Sequence, residues 1–377
     1  MASETGNIEN LKAHSKRIEG LDLIRGGAIT LVLLRHSWPE IFGGAGIVGV
    51  VAFFTLSGYL ITGILLSDLR RVGRVDYRRF YRNRAIRLLP ALLVLLLGVF
   101  LVEFVVNISG TRDEFVRSAI VALTYTGNIP GFSHGTPTLG HLWTLANEEQ
   151  FYLVWPFVLY LGIRFRKTPI VVAGTAFIVL VALIGTIYLT YPDDIFRIYS
   201  LPTSWTISMI IGAGAQIYRD QLERLFVGKR ATIFSIVGVS GLLGLAFFPE
   251  AKNEPLAYLL GGPLIAVLTV LIILRLSKLS RVPPVAKPLL ALGTVSYAAY
   301  LWNYPVGIWL RDANFGPGWE VVAIVLTIAV AALSWFAVER PLNALKKILD
   351  KRFPRPPSNE VTRGTEENEG AAESPAR

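Results

Sequence analysis

The chain alternates long apolar stretches with short polar ones. A run of about 20 apolar residues is the length a helix needs to cross the hydrocarbon core of a bilayer. The pattern predicts about ten such helices, over residues 21–38, 46–66, 88–107, 141–162, 170–190, 203–218, 231–248, 256–276, 289–310 and 320–338. The sixth is the weakest, because Thr203, Ser204, Thr206 and Ser208 interrupt it. Such a segment suits a bend or a cavity wall. The expected fold is all-α, a polytopic membrane protein with a single helical bundle over residues 21–342. A polar N-terminal segment, 1–20, precedes it, and a tail, 343–377, follows. From residue 353 the tail combines Pro, Ser and Glu with few large apolar groups, a composition that suits disorder. No repeat of 20–50 residues is visible.

Composition agrees with this reading. The mean hydropathy is +0.50, and only 17% of the 377 residues are charged. A formal charge of +10 raises the question of nucleic acid. The basic residues answer it by their placement, since they sit in short loops between apolar runs. Counting loops outward from the N-terminus, the first segment holds Lys12, Lys16 and Arg17. The loop after the second span holds eight arginines from Arg70 to Arg87, and later even-numbered loops and the tail carry further clusters. The odd-numbered loops hold only Arg112, Arg117, Arg197, Lys252 and Arg311. Basic loops face the cytoplasm, so both termini are expected there and the long loop 108–140 outside. Its stretch 115–127 is too short to span but apolar enough to dip into the mouth of the bundle. No cleaved signal peptide is expected, because the first apolar segment contains Asp22, Arg25, Arg35 and His36. The absence of Cys excludes disulfides, thiolate nucleophiles and Cys-based metal sites. No phosphate-binding Gly-rich loop, metal cluster or nucleic-acid module is present.

Ionisable residues inside membrane spans are costly and mark functional sites by default. Arg25 and His36 are eleven residues apart in the first span. At about 100° per residue they share a face, about 16 Å apart along the axis. His36 can serve as a general base near neutral pH. The plainer alternative makes His36 an interface residue and Arg25 a snorkelling one. A second group is the basic run Phe80-Tyr81-Arg82-Asn83-Arg84-Ala85-Ile86-Arg87. Guanidiniums bind phosphates bidentately, although anchoring at the cytoplasmic face attracts the same residues. Arg84 and Arg87 lie closest to the membrane. A third group opens the fourth span, where His141, Leu145, Glu148 and Tyr152 follow a helical stripe and Glu148 and Glu149 place two carboxylates inside the apolar run. One of these can orient His36 or bind an acceptor hydroxyl. In the second span, Ser57-Gly58 reads as a point of close helix approach, with no need for a serine nucleophile.

These segments together resemble the acyltransferase 3 family of integral membrane acyltransferases. The carrying residues are Arg25 and His36 with their spacing, Phe53 to Tyr59, Phe80 to Pro90, Trp143 to Pro156, Ser296 to Trp302 and Glu339 to Leu342. The resemblance runs from about residue 18 to 342. It implies a membrane O-acyltransferase using cytoplasmic acyl-CoA, acetyl-CoA foremost, as donor substrate, with no bound cofactor or metal. The implied acceptor is a hydroxyl of an envelope glycan, glycolipid, cell-wall component or small molecule. It further implies that His36 is catalytic, that Glu148 and Glu149 belong to the active region, and that Arg25, Arg82, Arg84 and Arg87 serve the donor. Trp143 and Tyr152 are expected to contact substrate. Three positions depart from the family pattern. Asn147 stands in place of an apolar residue, Asn303-Tyr304-Pro305 in place of a His and an aromatic before the Pro, and the segment Pro202 to Trp205 lacks an Arg. The second departure argues against a mechanism with two histidines. A fused extracytoplasmic hydrolase-like domain is not expected after the last span.

The rival class is a transporter or non-catalytic carrier whose buried charges line a translocation path. It predicts two pseudo-symmetric halves. The chain holds no second copy of the Arg25/His36 segment or of the basic loop.

Overall fold

A computed structural model describes residues 18–108, 111–132, 135–249, 252–279 and 281–352. The expected N-terminal segment up to residue 17, with Lys12, Lys16 and Arg17, and the expected disordered stretch 353–377 lie outside the described residues. Among the described residues all regular structure is helical.

Six helical stretches are long and apolar enough to cross a membrane: Ala45–Arg71, Tyr77–Val106, Thr168–Thr190, Gly228–Ala246, Ala257–Leu276 and Trp319–Leu345. In chain order the helices that build the bundle are α1 (Glu19–Ser37), α2 (Ala45–Val72), α3 (Tyr77–Leu101), the short α4 (Phe115–Thr124), α5 (Trp143–Arg164), α6 (Thr168–Thr190), the short α7 (Ile195–Ser200) and α8 (Thr206–Ile217). They continue with α9 (Arg219–Leu225), α10 (Gly228–Ala246), α11 (Gly262–Leu276), α12 (Lys287–Thr294), α13 (Ser296–Asp312), α14 (Trp319–Ser334) and α15 (Arg340–Arg352). Four expected spans do not meet the length and composition of a simple spanning helix. α1 carries Glu19, Asp22, Arg25 and Arg35, and α5 carries Glu148, Glu149 and Arg164. α8 has 12 residues, and the ninth expected span breaks at Val295 into α12 and the 17-residue α13. Twelve residues make a helix of about 18 Å, short of the hydrocarbon thickness.

Local chemistry sets the helix ends near the basic loop. α2 stops at Gly73, whose φ of 70° is the left-handed conformation that glycine adopts without strain, and the Gly73 N–H bonds to the Leu69 carbonyl. α3 starts at Asp76, whose carboxylate accepts the Arg79 N–H at 3.0 Å.

α2 is the central helix and packs against α1, α8, α11, α10 and α5. Its approach to α8 is backbone to backbone. A Cβ on Gly58 would sit 2.0 Å from the Met209 carbonyl oxygen, and one on Gly212 would sit 2.0 Å from that of Thr55. The close approach read from Ser57-Gly58 is therefore what the helices do. α6, α10 and α14 are peripheral, with large apolar side chains turned outward, such as Ile178, Ile236 and Val325. In a lipid-facing helix that exposure is expected, because lipid tails are as apolar as the side chains.

The stretch 115–127 forms α4, with Val121 and Ala122 buried and Val116 and Ile120 turned outward. The loop after it is tied to α5 by amides. Asn128 and Gln150 exchange hydrogen bonds of 2.9 and 2.8 Å, Asn128 also donates to Asn147, and Gln150 donates to the Tyr125 carbonyl. Asn147 is thus structural, giving the buried loop residue Asn128 a buried polar partner.

Candidate active site

α1, α2, α3, α5 and α13 enclose a cavity of about 330 Å³. Arg25 reaches it from α1, Ser57 and the Val50–Ile64 face from α2, Asn83, Arg84 and Arg87 from α3, Thr144, Glu148 and Tyr152 from α5, and Ser296, Tyr297 and Tyr300 from α13. Its polar wall thus joins α1, α5 and α13, which do not qualify as simple spanning helices, to the polar positions of α2 and of the first turns of α3.

The three arginines differ in what they already hold. Arg25 donates to Asp22 one turn before it, at 2.9 Å. Arg84 pairs with Glu149 at 2.5 Å and lies over the Tyr152 ring, 3.5 Å from its centroid. Arg87 makes no hydrogen bond or ion pair with any described residue, and its side chain is exposed. An anion entering the cavity therefore meets in Arg87 a guanidinium with no close ion-pair partner among the described residues, although Glu148 and Glu339 act on it from a distance.

Across from them a hydroxyl chain ends on a carboxylate. Ser57 donates to Glu148 Oε1 at 2.8 Å, and Tyr152 donates to Ser57 Oγ at 2.5 Å. A carboxylate only accepts, so this donor order follows from the inventory of groups. Tyr152 is further held by Tyr81, which donates to its backbone carbonyl at 3.1 Å. In the sequence Ser57 reads only as a packing residue. Its place in this chain has no signal there beyond its small size.

His36 lies outside the cavity lining. Its Nδ1 bonds to Asn303 Oδ1 on α13, and its ring makes an edge contact with Tyr304 at 5.2 Å between centroids. The expectation that one carboxylate orients His36 is corrected here. Glu148 is engaged by Ser57 and Glu149 by Arg84, and the side chain on His36 is Asn303. A row of rings links the two places: Tyr300 of the cavity wall packs on His141 at 5.6 Å, and His141 packs on Tyr304 at 5.2 Å. Tyr300 also closes this side of the cavity through hydrogen bonds to Thr144 at 2.7 Å and to the His141 carbonyl at 3.1 Å.

His141 belongs to the 3₁₀ turn Pro137–Leu142, not to α5, so the expected stripe begins with Leu145. Its Nε2 bonds to the Leu301 carbonyl at 3.1 Å. That carbonyl is available because Pro305, four residues on, has no N–H to give it. Trp143 lies behind the cavity wall in an aromatic cluster with Phe54, Tyr199 and Trp205. Arg82 is not part of the lining. Of the expected residues, the cavity gathers Arg25, Arg84, Arg87, Glu148 and Tyr152; Glu149 reaches it through Arg84.

Comparison with known proteins decides the family. The family profile described as "Acyltransferase domain" matches residues 18–339. The chain belongs to this acyltransferase family. It is similar to "O-acetyltransferase OatA" of Staphylococcus aureus, at 30% identity over 355 residues, covering 88% of this chain and 58% of the relative. It is also similar to "Peptidoglycan O-acetyltransferase OatA" of Listeria monocytogenes, at 28% identity over 381 residues, covering 90% and 58%. A third relative is "Putative peptidoglycan O-acetyltransferase YrhL" of Bacillus subtilis, at 30% identity over 357 residues, covering 88% and 55%. The chain thus spans little more than half the length of these relatives. No solved structure matches it.

Proposed function

We propose that the protein is a membrane O-acyltransferase that moves an acyl group, acetyl foremost, from cytoplasmic acyl-CoA to a hydroxyl of a cell-wall glycan. The observation that carries this reading is the cavity. It joins three arginines on one side to the Tyr152–Ser57–Glu148 chain, and a row of rings leads from it to a histidine. The names of the relatives support peptidoglycan as the glycan. In this reading the chain crosses the membrane about ten times. The four polar or short helices complete the count as inner members of the bundle, and both termini are cytoplasmic.

The donor enters from the cytoplasmic side with its phosphates on Arg87 and Arg25. Arg84 is held by Glu149 and shapes the wall beside Tyr152. The extended arm of the thioester runs toward His36, about 16 Å from Arg25 along α1. The Tyr300–Thr144 contact opens to let it pass. At His36 the acceptor hydroxyl gives up its proton to the imidazole as its oxygen bonds to the acyl carbon. The C–S bond breaks, and the CoA thiolate takes a proton as it leaves. A hydroxyl is a weak nucleophile at its own pKa, so a positioned base is required.

Acyl-CoA binding tests the donor half. Each charge-assisted phosphate contact contributes about 1.5–3 kcal/mol, roughly a tenfold change in affinity or more. Arg87→Ala should weaken binding of acetyl-CoA by that factor and leave acetyl-pantetheine, which lacks the nucleotide phosphates, little affected. Arg84→Ala should weaken both, because it also releases Glu149 and Tyr152. Equal losses for both donors in Arg87→Ala would assign Arg87 to membrane anchoring.

A further inference from the structure

We propose that Asn303 is the positioning residue of His36, holding the imidazole as the Nδ1–H tautomer so that Nε2 carries the lone pair that takes the acceptor proton. The inference rests on the reading of His36 as the base and adds how that base is prepared.

A neutral imidazole has one N–H and one bare nitrogen. Which nitrogen is bare is set by the partner of the other. The partner of His36 Nδ1 is the side-chain oxygen of Asn303. An amide oxygen only accepts, so Nδ1 donates and Nε2 is bare. Asn303 is suited to dictate this. It is 1% exposed and sits inside α13, so it has little freedom to turn away. The next residue, Tyr304, makes an edge contact with the same ring, 5.2 Å between centroids, and restricts its tilt. Two consecutive residues of one helix therefore set both the tautomer and the orientation of a histidine on another helix.

The second histidine of the region is committed differently. His141 gives its Nε2 to the Leu301 carbonyl that Pro305 leaves open. The segment Leu301 to Pro305 thus assigns opposite nitrogens of two histidines, through Leu301 and Asn303, while Tyr304 lies between their rings. The charged groups acting on His36 are Arg35 on its own helix and Arg311 on α13; Tyr304 is the titratable neighbour, with His141 beyond it.

The experiment compares the full chain with Asn303→Leu, Asn303→Asp and His36→Gln in detergent or proteoliposomes. Acetyl-CoA turnover is read as free thiol with muropeptides as the acceptor probe, and thermal unfolding serves as the folding control. Asn303→Leu keeps the size and removes the acceptor. It should lower kcat roughly tenfold or more with the KM for acetyl-CoA unchanged, and it should have no further effect in the His36→Gln background. Asn303→Asp restores the acceptor and adds a negative charge that favours the imidazolium. It should retain most of the kcat reached at high pH and move the acidic limb of the pH profile upward. Asn303→Leu at wild-type kcat, or an Asn303→Asp protein more active than wild type with its limb unmoved, would overturn the positioning role while leaving His36 in place. Wild-type turnover in His36→Gln would overturn both this inference and the mechanism beneath it.

Discussion

Glu148 and Glu149 are adjacent in sequence and face different partners, so their charge-removing variants should differ in kind. Glu149 neutralises Arg84 in a pair whose side chains are 19% and 14% exposed. Glu149→Gln leaves that guanidinium largely out of water without its counter-charge, and should lower stability by about 2–3 kcal/mol. Glu148 instead ends the chain from Tyr152 through Ser57. Glu148→Gln can still accept the Ser57 hydroxyl, so it should unfold near the wild-type temperature while turnover falls roughly tenfold or more. Thermal unfolding and thiol release measured on both proteins check the crossover; the reverse pattern would exchange the two roles. Arg25 and the two carboxylates were legible in the sequence because ionisable groups are rare in membrane spans and stand out there, and Arg84 and Arg87 because they are the arginines of the basic run closest to the membrane. Ser57 and Asn303 were not. Both are uncharged, and what gives each its role is a partner on another helix, which local sequence does not reveal.

At the scale of elements, packing between α2 and α8 is the most constrained contact. Gly58→Val would drive a Cβ into the Met209 carbonyl, where no flexible side chain can yield. The variant should fail to reach the folded, monodisperse state on size-exclusion chromatography. Gly214, two residues beyond Gly212 on α8, has open space around it, so Gly214→Ala should fold and gain up to about 1 kcal/mol. Equal behaviour of the two variants would contradict the α2–α8 geometry. The apolar pattern placed most helices within a few residues of where they form, because span length and hydrophobicity are written locally. It missed the break at Val295, where the apolar run continues across the break. It also gave α8 more length than its 12 residues. The amide lock of Asn128, Asn147 and Gln150 joins a loop to a helix 19 to 22 residues away, beyond the reach of periodicity.

At the scale of the whole molecule, the proposal depends on orientation, since it puts donor and acceptor on opposite sides of the membrane. The facing ends of α2 and α3, which with Arg74 between them hold the eight arginines, should face the cytoplasm. The chain is free of Cys, so Ser67→Cys and Asp113→Cys each report one side. In intact cells an impermeant thiol reagent should label the Cys at 113 and leave the Cys at 67 unlabelled until the membrane is broken; the opposite pattern would invert the topology. The most direct test of the central claim is acyl transfer by the purified full chain and its His36→Gln variant. Proteoliposomes given isotopically labelled acetyl-CoA on the arginine-rich side and muropeptides on the other are assayed for label on the glycan by mass spectrometry. The wild-type protein should place the label on a glycan hydroxyl, and His36→Gln, folded and still binding acetyl-CoA, should lose transfer by 10²-fold or more, in the range of about 10²–10⁴ that a missing general base costs. Glycan labelling at the wild-type rate by His36→Gln would contradict the account.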